Sequence, residues 1–212
     1  MDVAKALEGN WEFRVEHKDI RIFSSKIPGS DVLGFKGETE FTVPFRKLVS
    51  LFHDFASYPR WVHQLAEMQV LEENGELEYV VRQVINTPWP MPKRELLIRT
   101  GLQVADAGAV ALTMKGVPDY LPKRPDMHRV METSGVWVFM PIDGGRVHIT
   151  FVMHMNPGSD VPASLSNAAL FEVPFYSLHK MRTLAQENSY KPAWPSIVDE
   201  HFHISEDGYG TH

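Results

Sequence analysis

The sequence predicts an α+β fold in which one long, curved antiparallel β-sheet wraps a C-terminal α-helix, with an internal apolar cavity between them. Three observations predict it. Val161–Ala185 reads as one long helix, apolar on more than one side. From Leu65 to Met155 nearly every segment alternates in strand fashion between short turns. No internal repeat or low-complexity linker divides the chain. A sheet this long tends to curl. Curled around an apolar helix, it leaves a space of the kind in which small-molecule sites form.

Val3 to Leu7 can form a short helix, ended by Gly9. Trp11–Val15 and Ile20–Lys26 alternate as strands around a polar turn at His17, Lys18 and Asp19. After Pro28-Gly29-Ser30, Val32–Val43 is a third strand with Leu33, Phe35 and Phe41 on one face. Pro44 opens a helix at its first turn, where a missing N–H costs little. Its buried side is Phe45, Leu48, Val49, Leu51 and Phe52, and a second helical turn spans Phe55 to Trp61. Asn74-Gly75 marks the hairpin joining Met68–Glu72 to Leu77–Ile85. The three prolines between Asn86 and Lys93 forbid a central strand and make a stiff loop presenting Trp89.

Arg94–Ala105 is the clearest amphipathic strand. Arg94, Leu96, Ile98, Thr100, Leu102 and Val104 share one face, and Glu95, Leu97, Arg99 and Gln103 the other. Ala109–Lys115 follows, then a proline-rich loop, then the pair Met127–Met140 and Val147–Met155 joined by Asp143-Gly144-Gly145. In the last strand Val147, Ile149, Phe151, Met153 and Met155 form one apolar face.

The final helix spans about seven turns at 3.6 residues each. Leu170, Pro174, Ser177, Met181 and Leu184 make one stripe, and Leu165, Ala169, Val173 and Tyr176 a second. Glu172 is the one charge in its first dozen residues, and Lys180 and Arg182 suit its C-terminus. Pro174 is expected to kink it. Residues 1–185 form the domain, and 186–212 read as an extended tail without a clear period.

A net charge of −6 argues against a nucleic-acid partner. No apolar run approaches the roughly 18 residues that span a bilayer. The N-terminus lacks the basic and apolar segments of a secretory signal, so the expected location is cytoplasmic, or periplasmic had a signal peptide been trimmed. The absence of cysteine removes disulfides, thiolate catalysis and Cys-ligated zinc.

Several short motifs then carry a resemblance: Ile20–Ser24 with Ile27-Pro28-Gly29, Tyr58-Pro59-Arg60-Trp61, Pro88-Trp89-Pro90 running into Arg94-Glu95, Gly135-Val136-Trp137 with Pro141, Asn156-Pro157-Gly158, Val161-Pro162, Asn167 and Pro174. Each alone is weak; their order and spacing over about Trp11–Ala185 are specific. The chain resembles the START (steroidogenic acute regulatory protein-related lipid transfer) domains. The resemblance implies a helix-grip fold enclosing a tunnel for one lipid, with the loop at 86–93 and the helix from Val161 as its lid. One departure limits the carry-over. Steroid-binding relatives often place a buried arginine on the strand after this loop, whereas on the face assignment above the inward position six residues beyond Arg94 is Thr100. The ligand class therefore does not carry over.

The expected ligand is a lipid or other hydrophobic small molecule, held for transfer between membranes or for sensing. The residues expected to line the tunnel are Tyr79, Val81, Gln83, Leu96, Ile98, Thr100, Leu112, Met114, Met131, Trp137, Phe151, Met153, Leu165, Ala168, Ala169 and Phe175. Tyr79, Gln83 and Thr100 are the polar contacts among them, since such pockets use few groups to orient a ligand. Pro88, Trp89, Pro90 and Pro174 are expected to form the gate and membrane contact, with Trp89 as interfacial anchor. Lys93, Arg94, Lys123 and Arg124 could meet anionic headgroups, unless Arg94 points inward. No nucleophile elbow, phosphate loop or zinc-protease motif is present, and neither enzyme activity nor a cofactor is expected. His201, His203 and His212 read as solvated tail groups rather than metal ligands. The competing reading is an aromatase or cyclase of polyketides on the same scaffold, using Arg94, Tyr79 and His128 to position a polyketone.

Overall fold

The computed structural model describes residues 3–75, 77–87, 90–104, 108–158 and 160–192. A single curved sheet runs through them. Its strands are β1 Glu12–His17, β2 Ile20–Ser25, β3 Gly34–Thr42, β4 Leu65–Asn74, β5 Glu78–Ile85, β6 Arg94–Val104, β7 Val110–Gly116, β8 His128–Arg129, β9 Glu132–Ile142 and β10 Arg146–Asn156. They lie in the order β1-β2-β3-β10-β9-β7-β6-β5-β4, with the two-residue β8 paired alongside β6. All neighbours are antiparallel except β6 and β8. The helices are α1 Val3–Leu7, α2 Phe45–Leu51, α3 Tyr58–Trp61, α4 Ala163–Ala168 and α5 Glu172–Gln186.

Turn chemistry sets the register. Lys18 and Asp19 both take positive φ, 50° and 60°, which suits the two-residue turn that pairs His17 with Ile20. Gly144 and Gly145, at φ 76° and 69°, join β9 to β10 where Ile142 meets Arg146. Register then places Tyr79 opposite Thr100, Gln83 opposite Leu96 and Ile85 opposite Arg94.

The core lies between the concave face and α2, α3 and α5. Trp137 stacks on Phe151 at 3.7 Å and Phe52 on Phe139 at 4.7 Å. From α5, Leu178 and Met181 are fully buried. Gly37 of β3 lets α5 approach closely: a Cβ there would stand 2.8 Å from Leu178 Cδ1 and 3.0 Å from Pro174 Cβ.

Three expectations need correction. The single helix over Val161–Ala185 is two helices joined by a 3-10 turn, Ala169–Phe171. In a continuous helix the Pro174 ring would meet the carbonyl of Leu170. Restarting at Glu172 puts the proline in the first turn, where its missing N–H breaks no intrahelical bond. The strand expected over Met127–Met140 is β8 followed by β9, because residues 128–129 pair parallel to β6 instead of continuing along β10. The domain also extends past Ala185. Tyr190 is buried, donates to Asp54 Oδ2 at 2.7 Å, and lies beneath Lys47 and Arg60.

The convex face carries a small second core. Ala109, Ala111, Val136, Val138 and Val152 are covered by Val3, Ala6 and Leu7 of α1 together with Trp11 and Met140. On the same face Glu95 is buried between Arg82 and Arg129. It accepts from Arg82 Nε at 2.5 Å and from Arg129 Nη2 at 2.7 Å. Arg129 also donates to the Leu121 and Pro122 carbonyls at 2.9 and 3.0 Å, which holds the proline-rich loop against the sheet. Burial alone would raise the Glu95 pKa; the hydrogen bonds from the two arginines outweigh it and hold the carboxyl below its ordinary value.

Candidate functional site

A cavity of about 360 Å³ lies under α4, the 3-10 turn and the start of α5. That volume is within the range of small-molecule sites. Its floor comes from alternate residues of adjacent strands, as the period of two dictates. Gln83, Leu96, Thr100, Leu112, Met114, Trp137, Phe151 and Met153 supply it, and Leu165 covers it from α4. Nine of the expected residues thus line the cavity.

The others fall elsewhere. Val81 and Ile98 are fully buried in the packed core and do not reach the cavity wall. Tyr79 turns toward α2, with its hydroxyl 3.5 Å from His53 Nδ1 and its ring against Phe55. Met131 is 46% exposed, because the chain turns out of the sheet between β8 and β9. Phe175 packs against His17 and lines a separate groove with Val15, Ile20 and Ile22, since it stands two residues along α5 from each of Val173 and Ser177, which line the cavity, and so on the far side of the helix. Pro174 is buried against Gly37 rather than standing at a gate. Pro90 is exposed. Pro88 and Trp89 lie outside the described residues, as do the side chains of Ala168 and Ala169.

Two segments border the cavity at its mouth. Asn86, Thr87 and Met91 come from the loop at 86–93, while Pro157 and Val161 come from the connection into α4 and Leu165 and Ser166 from α4 itself. Arg94 joins them. Its side chain is 1% exposed, Nη1 donates to the Pro92 carbonyl at 2.9 Å, and Nη2 donates to Asp160 Oδ2 at 2.6 Å. The same Asp160 oxygen lies 3.0 Å from His128 Nδ1. Burial of Asp160 acts to raise its pKa, but the hydrogen bond and charge of Arg94 prevail and lower it. A second tie runs through Asn167, whose Oδ1 accepts from the Leu33 amide at 3.0 Å and whose Nδ2 donates to the Asp31 carbonyl.

His63 and Gln64 sit at the other side of the lid. The His63 amide donates to Ser177 Oγ at 3.0 Å, and the ring stacks on Tyr176 with Nε2 3.8 Å from Glu172, an ion-pair distance rather than a hydrogen bond. Burial, and then the nearby Lys180, lower the His63 pKa. Gln64 adopts φ 62°, a left-handed conformation uncommon outside glycine, at the cavity wall.

The sequence reading missed Trp61, His63, Gln64, Ser166 and Ser177 as wall residues. Trp61 carried a signal, since Tyr58-Pro59-Arg60-Trp61 stood out as a motif. The sequence leaves Arg94 open between an inward and a membrane-facing position; in the structure it is buried and lines the cavity. Of the three groups a cyclase reading would use, Arg94 lines the cavity, whereas Tyr79 and His128 do not. No cluster of three or more metal-ligating side chains occurs among the described residues, and no described helix is long and apolar enough to cross a membrane.

The family model described as polyketide cyclase / dehydrase and lipid transport matches residues 42–182. An uncharacterized protein of Pseudomonas aeruginosa is 25% identical over 182 residues, 86% of this chain and 90% of its own. The crystal structure of a STAR-related lipid transfer protein from Xanthomonas axonopodis superposes with a TM-score of 0.77 at 26% identity, covering 84% of this chain and all of that one. Human STARD10 superposes with a TM-score of 0.75 at 16% identity, covering 96% of this chain and 82% of its own, a likeness of fold. The strand order and C-terminal helix are those of the START-like, helix-grip fold.

Proposed function

We propose that this chain, which belongs to the polyketide cyclase / dehydrase and lipid transport family, is a carrier that holds one lipid or similarly hydrophobic molecule and exchanges it at a membrane surface. The observation that carries this reading is the largely apolar cavity of about 360 Å³ bordered by two segments that could act as its lid. Burial of one methylene contributes about 0.8 kcal/mol, so a dozen carbons gain about 10 kcal/mol before ordering costs. Release into water is then very slow, and exchange needs another apolar phase in contact with the mouth. Trp89, between two prolines in the loop that supplies Thr87 and Met91 to the wall, is the residue we assign to that contact. The similar protein from Xanthomonas axonopodis is itself described as a lipid transfer protein, which supports the reading.

The carrier reading is favoured over a cyclase because the cavity wall is poor in ionisable groups: among the described residues these are Tyr58, His63, Arg94 and Glu172, and the Tyr58 hydroxyl is already committed to the Phe52 carbonyl and the Arg94 guanidinium to Pro92 and Asp160. Transfer of a fluorescent lipid between two vesicle populations tests it. Met153→Trp, which fills the cavity from β10, is expected to abolish transfer while the protein still folds, and Trp89→Ala is expected to slow it at unchanged affinity. Full transfer by a folded Met153→Trp protein would refute the carrier; an unchanged rate in Trp89→Ala would refute the anchor.

A further inference from the structure

We propose that the cavity selects an amphipathic ligand bearing an acceptor oxygen, an ester, ketone or carboxylate oxygen, which receives the free N–H of Arg94; this rests on reading the cavity as a ligand site. Four wall residues carry buried side-chain polar atoms with no hydrogen-bond partner in the protein: Arg94 Nε, Trp61 Nε1, both ring nitrogens of His63, and Ser166 Oγ. An imidazole or a hydroxyl can donate or accept, whereas Arg94 Nε and Trp61 Nε1 can only donate. A buried donor left without an acceptor loses its hydration and gains nothing in return, so such groups are rare unless something else supplies the acceptor. For Arg94 and Trp61 the choice of partner is one-sided. A pure hydrocarbon satisfies neither group, and a ligand whose polar end only donates satisfies neither.

Arg94 is the sharper of the two. Its Nη1 and Nη2 are committed to Pro92 and Asp160, one from each lid segment. The carboxylate of Asp160 already balances its charge, so Nε needs an oxygen and no further negative charge. An oxygen delivered there sits at the mouth, beneath both covers, with the apolar remainder of the ligand running along Leu96, Met114 and Phe151 toward the sheet. The polar end of the cargo would therefore be read by the same guanidinium that ties the covers together.

The test uses the whole protein with three probes of equal chain length: methyl oleate, oleate and 1-octadecene. The infrared carbonyl band of carbonyl-labelled methyl oleate is recorded in hexane and bound to the wild-type protein. We expect the bound band at lower frequency than in hexane, and its return toward the hexane position in Arg94→Lys, which keeps a cation for Asp160 and deletes Nε–H. We also expect the affinity of methyl oleate and of oleate, each relative to octadecene, to fall about tenfold in that variant, the worth of one hydrogen bond to a charged donor. Taking ratios to octadecene cancels general apolar affinity and any loss of stability. A wild-type band at the hexane position overturns the proposal, and that spectrum needs no variant to fold. So does a loss confined to oleate. Binding of all three probes with an unshifted carbonyl sinks the acceptor subsite alone, whereas binding of none sinks the carrier reading with it.

Discussion

Replacing Asp160 with asparagine keeps the shape of the side chain and removes the charge that Arg94 holds. The contact is short, 2.6 Å, with a guanidinium that is 1% exposed and a carboxylate that is 37% exposed. A hydrogen bond with a charged partner is worth about 1.5–3 kcal/mol and roughly twice a neutral one. Solvent at Asp160 screens part of this, so we take the loss as about 1 kcal/mol. That corresponds to about a fivefold increase in the open population of the lid. The tie at Asn167 remains, so the change is a shift in population rather than loss of the lid. Stopped-flow transfer from preloaded protein to excess vesicles should accelerate by that factor. Amide exchange over residues 157–162 should rise in parallel, while exchange in β9 and β10 should not. The Asp160 carboxyl is held below its ordinary value of 3.8, so the tie is complete above that pH and is lost only as pH falls through the lowered value. Identical transfer and exchange in the variant at pH 7 would refute the assignment of Arg94 and Asp160 as a lid tie.

Other consequences follow from the same packing. Glu95→Ala strands two buried guanidiniums, and we expect a loss of about 3–5 kcal/mol, read as a lower denaturation midpoint; a loss under 1 kcal/mol would show that Arg82 and Arg129 find other partners. Gly37→Ala drives a methyl group into Leu178 and Pro174, at a cost of about 1–3 kcal/mol and a fall in Tm of about 2–4 °C for each kcal/mol. An unchanged Tm would show that α5 yields freely. His53, His63, His154 and His179 all have pKa values lowered, first by burial, from the ordinary 6.5. The unfolded chain therefore binds more protons as pH falls through 6.5, so stability is expected to decline from that pH downward. A flat stability profile between pH 7.5 and 5.5 would contradict it.

Most of the sheet was legible because the period of two is strong in β6, where Leu96, Ile98, Leu102 and Val104 share a face, and in β10, where one face is apolar over five residues. The wall residues those strands supply, from Leu96 to Met153, were legible for the same reason. The helix break was not. Periodicity continues through Ala169–Phe171, and the position of Pro174 fixes only that something must give, not that the chain restarts two residues before it. Phe175 was misplaced for a simpler reason: it lies about 200° around the helix from Val173 and from Ser177, which line the cavity. Arg94 was ambiguous because its face was readable but its partner, Asp160, is 66 residues away in a segment without period. The convex face was missed altogether: Ala109, Ala111 and Val152 look like interruptions of a solvent face until α1 is seen to cover them.

The most direct measurement is native mass spectrometry of the protein before and after incubation with mixed-lipid vesicles, followed by extraction of whatever is bound. The account predicts one added molecule per chain, of a few hundred daltons on the scale of drug-sized ligands in such cavities, extracting as a lipid with an oxygen acceptor and absent from Met153→Trp. An unliganded mass that persists after incubation, in wild type as in the variant, would contradict it.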